Sequence, residues 1–190
     1  YIPLTPCAYF RECAVWSAEI PPDRFLETAL PPIFDTGANP WPARFAPWIA
    51  YAYNVDHSDG IVGTSVDDGA SVLLIAEREG NATFFLESPK IPCAPGRVSV
   101  YQAQLLGDFS TRSIGIGVRY YAEATASTPL LEETTWEPQQ AAFTQWRSFQ
   151  LNTFAPPEIK YISIFWQIRE TYGKQPAAGF KTPRFWMDTP

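Results

Sequence analysis

Few residues in this chain could carry covalent chemistry. His57 is the single histidine, in Asp56-His57-Ser58-Asp59. Adjacency along the chain is not triad geometry, and no Gly-x-Ser-x-Gly elbow accompanies it. Glu132 and Glu133 form a carboxylate pair of the kind that can do acid–base work. Side by side in a polar stretch, their ordinary reading is a solvated charge cluster. The three cysteines are Cys7, Cys13 and Cys93. An odd count leaves at least one free thiol or an intermolecular bond, and the short Cys7–Cys13 spacing would suit a small disulfide loop. No Cys-x-x-Cys stands near a histidine, and no glycine pattern for phosphates or dinucleotides occurs. No catalytic residue is expected.

Charge and hydropathy exclude further classes. The 14 basic and 20 acidic side chains give a net charge of −6, which repels a phosphate backbone, so a nucleic-acid partner is not expected. No run of about 18 apolar residues exists to span a bilayer as a helix. With 46% hydrophobic and 15% aromatic residues, disorder is excluded as the main state, while 19 prolines would break most long helices. A chain that begins at Tyr1 and holds its single methionine at Met187 is expected to start at a processed or trimmed terminus. Tyr1–Cys7 has no basic n-region and is not a signal peptide.

Two regions follow from the punctuation. Residues 1–47 are proline-rich, with prolines at 3, 6, 21, 22, 31, 32, 40, 42 and 47. Pro22–Leu30 between them predicts a short helix, with Asp23 charging its first turn and Pro31 ending it. This region is expected to be an arm, docked on its own domain or gripping a neighbour. From residue 48 the period becomes two. Ser71–Ala76 and Ala82–Glu87 are strand runs. Pro95-Gly96 is a turn before Arg97–Leu105, where Val98, Val100, Ala103 and Leu105 share a face if one phase slip is made. Ile114, Ile116, Val118 and Tyr120 alternate with Gly115 and Gly117, glycines that leave a flat groove or permit close approach. Residues 122–146 read as a long polar linker. Phe149 and Leu151 share a phase, as do Ile162, Ile164, Trp166 and Ile168. Residues 173–179 form a Gly/Pro/Ala loop, and Pro183–Asp188 is the last run. About seven strands and little helix predict an all-β fold: an antiparallel β-sandwich over 48–190, with a proline-rich N-terminal arm over 1–47.

The order of these features resembles the jelly-roll carbohydrate-binding modules of the galactose-binding-domain-like type, found beside glycoside hydrolases and in phage structural proteins. The residues that carry the resemblance are Trp48 after the first segment; Asp68-Gly69-Ala70-Ser71-Val72-Leu73-Leu74-Ile75; Ala94-Pro95-Gly96-Arg97-Val98-Ser99-Val100-Tyr101; Trp146 before Phe154-Ala155-Pro156; and the closing Phe185-Trp186-Met187-Asp188. They span roughly three-quarters of the chain. The resemblance implies a jelly roll that binds rather than turns over. It also implies a structural calcium, for which Asp67, Asp68 and Asp188 would supply oxygens, although the family's clean ligand string is absent.

Sugar binding requires a flat ring against the pyranose C–H face and amides or charged groups for the hydroxyls. Trp136, in a polar stretch with Gln139 and Gln140, is the expected platform. Tyr121, Gln102 and Gln104, with Tyr101, are expected on an outward face. Trp48, Trp146, Trp166 and Trp186 are expected in the core. Two functions remain open: a glycan-binding or adhesion domain of a larger surface or virion assembly, or a purely structural virion decoration or tail protein fastened by its arm. Either implies an extracellular or virion location, with glycan or neighbouring subunits as partners.

Overall fold

The computed structural model describes residues 25–33, 45–53, 61–65, 71–76, 80–93, 98–107, 111–138, 143–171 and 177–188. Its strands are β1 Phe25–Thr28, β2 Ile49–Tyr53, β3 Ile61–Ser65, β4 Ser71–Ala76, β5 Gly80–Glu87, β6 Ile91–Pro92, β7 Val98–Gly107, β8 Thr111–Tyr121, β9 Leu131–Pro138, β10 Phe143–Phe154, β11 Tyr161–Thr171 and β12 Ala177–Asp188. No α-helix occurs among the described residues.

The strands form two antiparallel sheets. One runs β10-β7-β12-β4-β3, with β1 beside β12; the other runs β2-β5-β11-β8-β9, with β6 beside β11. The alternating side chains explain the sandwich. Tyr101, Ala103 and Leu105 of β7 and Phe180, Phe185 and Met187 of β12 point inward from the first sheet. They meet Ile114, Ile116, Val118 and Tyr120 of β8 and Ile162, Ile164, Trp166 and Ile168 of β11 from the second. Trp166 stacks on Phe180 across the gap at 5.6 Å and 9°, and Trp48 meets Phe180 edge-on at 6.1 Å. The Trp48 indole N–H donates to the Pro31 carbonyl at 2.9 Å. The expected core roles of Trp48 and Trp166 match these positions.

Several expectations are corrected. The helix predicted over 22–30 gives way to strand β1, where Phe25 pairs with Asp188 and Thr28 with Phe185. The open side of the last half of β12 supplies partners for backbone groups that a short helix leaves unpaired. The described part of 1–47 is thus built into the sandwich, with Ile33 and Phe45 in the core. The linker expected over 122–146 contains β9 and the start of β10. The loop expected over 173–179 already includes the start of β12. No slip occurs in β7; Val100 shares the outward phase with Gln102 and Gln104, and Tyr101 is fully buried. The extra residue lies in β12, where the register shifts between Lys181 and Arg184 and Thr182 has φ 49°. Cys7 and Cys13 lie outside the described residues; Cys93 is a free, half-buried thiol that burial raises to about 11.

Burial raises both Tyr101 and Tyr120 above the ordinary phenol value of about 10. Tyr120 also hydrogen-bonds Ser99 of the opposite sheet. Because the folded state holds these protons more tightly, their contribution to stability is complete below the unfolded value near 10 and is lost as pH rises above it. Alkaline titration is therefore expected to show part of the phenolate absorbance appearing cooperatively, together with loss of the near-ultraviolet circular dichroism. Smooth ionisation of all nine tyrosines in a folded chain would contradict this burial.

Candidate functional site

The outer face of the first sheet is laid out in cross-strand rows. Gly179 of β12 pairs with Leu106 of β7. The next row is Lys181, Gln104 and Ser148, and beyond it come Arg184, Gln102 and Gln150. A last row holds Trp186, Val100 and Asn152. Rows are about 7 Å apart, from two residues of rise.

Trp146 of β10 lies at the Gly179 end. A Cβ built on Gly179 would sit 2.6 Å from Trp146 Cη2 and 3.1 Å from Cζ3. β10 and β12 are separated by β7, so the side chain crosses two strand spacings, about 10 Å. Only an indole lying along the sheet reaches that far. Gly179 provides the bare backbone on which its tip rests. The ring is 37% exposed, with the Lys181 ammonium 4.4 Å from its centroid. Trp146 was expected in the core; the structure places it on the outer face of the first sheet, exposed.

Amides line the centre of the face. Gln102 Nε2 donates to Gln150 Oε1 at 2.7 Å, and Gln150 Nε2 donates to Asn152 Oδ1 at 2.8 Å. This ladder fixes which amide atoms face outward. At the far end Trp186 is buried, with the Arg184 guanidinium carbon 4.6 Å from its ring centroid. Arg184 is clamped by Glu27 of β1 through two bonds of 2.8 and 2.9 Å. Those hydrogen bonds, aided by the charge of Arg184, hold the Glu27 carboxyl below its usual range.

The sequence-predicted residues divide between the sheets. Gln102 and Gln104 are on this face. Tyr121 is on β8 of the other sheet, 4% exposed, with the Lys90 ammonium 4.4 Å from its ring centroid. Trp136 is in edge strand β9, paired with Gly115. Asp188 is 6% exposed, and its Oδ1 accepts the Val98 backbone N–H at 2.7 Å. Asp67 and Asp68 lie outside the described residues. Calcium takes about six to eight oxygens, and the described residues bring one carboxylate of the expected three, already bound to backbone. No group of three or more His, Cys, Asp or Glu that could hold a metal occurs among the described residues.

The described part of the second sheet's outer face holds a polar knot. Glu87 accepts from Tyr51 at 2.7 Å and also from Arg119 and Ser163. Arg119 donates to Glu132 and to the Tyr51 hydroxyl, both at 2.6 Å, and lies 4.5 Å from the Phe165 ring centroid. The carboxylate of Glu87 is taken up by these donors, which suits a brace rather than an open ligand surface.

Neither a family model nor a curated protein matches this sequence. Solved structures do. One is the enzymatically active domain of tailspike protein 4 of bacteriophage CBA120, with TM-score 0.51 and 14% identity over 74% of this chain. This chain spans 19% of that one. A CBM4 structure matches with TM-score 0.50 and 14% identity over 83% of this chain and 94% of its own. A carbohydrate-binding module described as promiscuous and of the β-sandwich superfamily matches with TM-score 0.52 and 11% identity, over 73% of this chain and 56% of that one. Identities this low speak to fold. The chain has the jelly-roll sandwich of carbohydrate-binding modules, as the sequence motifs suggested.

Proposed function

We propose that this chain is a non-catalytic glycan-binding domain whose binding surface is the outer face of the first sheet. The supporting observation is the exposed Trp146 indole, whose ring tip reaches Gly179, beside the amides of Gln104, Gln102 and Gln150. A ring already braced by its contacts with Gly179 and Lys181 needs little ordering when a pyranose stacks on it, and the amides meet hydroxyls in the rows beyond. The similar structures named as carbohydrate-binding modules favour the same reading. Trp136 and Tyr121 stand on strands of the other sheet.

Affinity electrophoresis of the full chain against a panel of polysaccharides tests it. Trp146→Ala is expected to lose at least tenfold in affinity with its thermal midpoint little changed, because an exposed ring supports no core. Gly179→Val is expected to lift the indole tip and cost a similar factor with the tryptophan still present. Retained binding in both variants would reject this surface.

The domain is proposed to serve within a larger extracellular or virion assembly, held through the residues before β1. The tailspike likeness favours that setting. Removing residues 1–24, which leaves β1 in place, should then reduce the assembled mass in light scattering while sugar binding persists. A second reading, a purely structural virion protein with no glycan ligand, would be supported by loss of assembly together with no binding to any polysaccharide.

A further inference from the structure

The charge on this face narrows the ligand. Arg184 is neutralised by Glu27 through two hydrogen bonds. Lys181 differs: among the described residues it is in no ion pair, and its ammonium rests against the exposed Trp146 ring. It shares a row with Gln104 and Ser148, one row from the ring. Among the described residues neither of those side chains has a hydrogen-bond partner. Among the described residues this is a cation with no acidic partner beside two polar side chains with none, on a chain of net charge −6, a local reversal of sign.

We infer that the ligand carries a carboxylate: a uronic acid residue stacks on Trp146, and its C6 carboxylate is taken by Lys181 with Gln104 and Ser148 beside it. This rests on the glycan-binding reading above. A sugar that stacks on the indole must displace the ammonium from it. A neutral sugar gives nothing in return, a handicap of about two- to fivefold from the lost cation–π contact. A uronate returns the ammonium a charged partner at the rim of the same sugar, because C6 is the exocyclic carbon and projects beyond the stacked ring. The ammonium thus moves from ring face to ring edge as the sugar arrives. Lys181 sets which sugar is preferred, and Trp146 sets whether any sugar binds.

The test is calorimetric titration of the full chain with oligogalacturonate and oligoglucuronate, each paired with its methyl ester, and with neutral and sulfated galacto-oligosaccharides. The acid is expected to bind about fivefold or more tightly than its ester, with the gap narrowing at high salt. Lys181→Met keeps the aliphatic stem. It should abolish the gap between acid and ester. Equal binding of acid and ester, or a gap that survives in Lys181→Met, overturns the inference while leaving the glycan reading intact. Sulfated sugar bound as tightly as uronate would make Lys181 a general anion contact and overturn the carboxylate assignment. Binding of no sugar in any arm would overturn both readings.

Discussion

Arg119→Met is expected to destabilise the fold by about 3–5 kcal/mol, the cost of breaking a buried ion pair from one side. Arg119 and Glu87 are 14% and 13% exposed at their side chains, so little water would replace the lost partner. Burial alone would lower the Arg119 pKa, yet it is raised overall because Tyr51, Glu132 and Glu87 all favour the charged form. The variant leaves Glu87 with hydroxyl donors and no cation. It also removes the guanidinium from the Phe165 ring. For a domain of this size the thermal midpoint should fall by about 6–20 °C. Adding Glu87→Gln removes the stranded charge and should recover part of the loss, a coupling that a double-mutant cycle in urea measures. A change in the single variant below about 0.5 kcal/mol would show that the knot is a surface pair of little consequence.

Gly117→Ala is the second large effect. Its Cβ would lie 2.2 Å from Phe165 Cζ and 2.7 Å from both Cε atoms. Gly117 pairs directly with Phe165 across β8 and β11, and the ring is 0% exposed. With no free space for the ring, the strands must separate or shift. Overpacking of this kind costs about 1–3 kcal/mol, and the depth of the overlap places this case at the upper end. Phe165→Leu in the same chain should restore part of the stability, since it removes the atoms that collide. An undisturbed urea midpoint for Gly117→Ala would show that the ring does not occupy the glycine surface.

Gly117 also shows what local sequence can reveal. The alternation of Ile114, Ile116, Val118 and Tyr120 forces the intervening residues outward, so the absence of side chains there was legible, as a flat groove or a close approach. The occupant was not, because Phe165 lies on another strand. The strong alternations of β8 and β11 were readable because one face is buried without interruption. β9 was not: Leu131-Glu132-Glu133-Thr134-Thr135 lies at a sheet edge and carries little apolar contrast. β1 was hidden for another reason, since it depends on the free side of β12 at the opposite end of the chain. Trp146 was misread as core because exposure of a tryptophan cannot be deduced from its neighbours; its position depends on Gly179, brought near only by sheet order. Gln102 and Gln104 were legible as outward because they alternate with Ala103 and Leu105, whereas Tyr101, expected outward beside them, is buried because the strand has no slip and it takes the phase of Ala103 and Leu105.

The seven indole N–H groups give separate reporters in a nitrogen-15 NMR spectrum. Titration with an oligosaccharide retained by the domain is predicted to move the Trp146 signal most, with the buried Trp48 and Trp166 signals unmoved and Trp136 unaffected. A bound sugar that shifts Trp136 and leaves Trp146 in place would contradict the assignment of the binding surface to the first sheet.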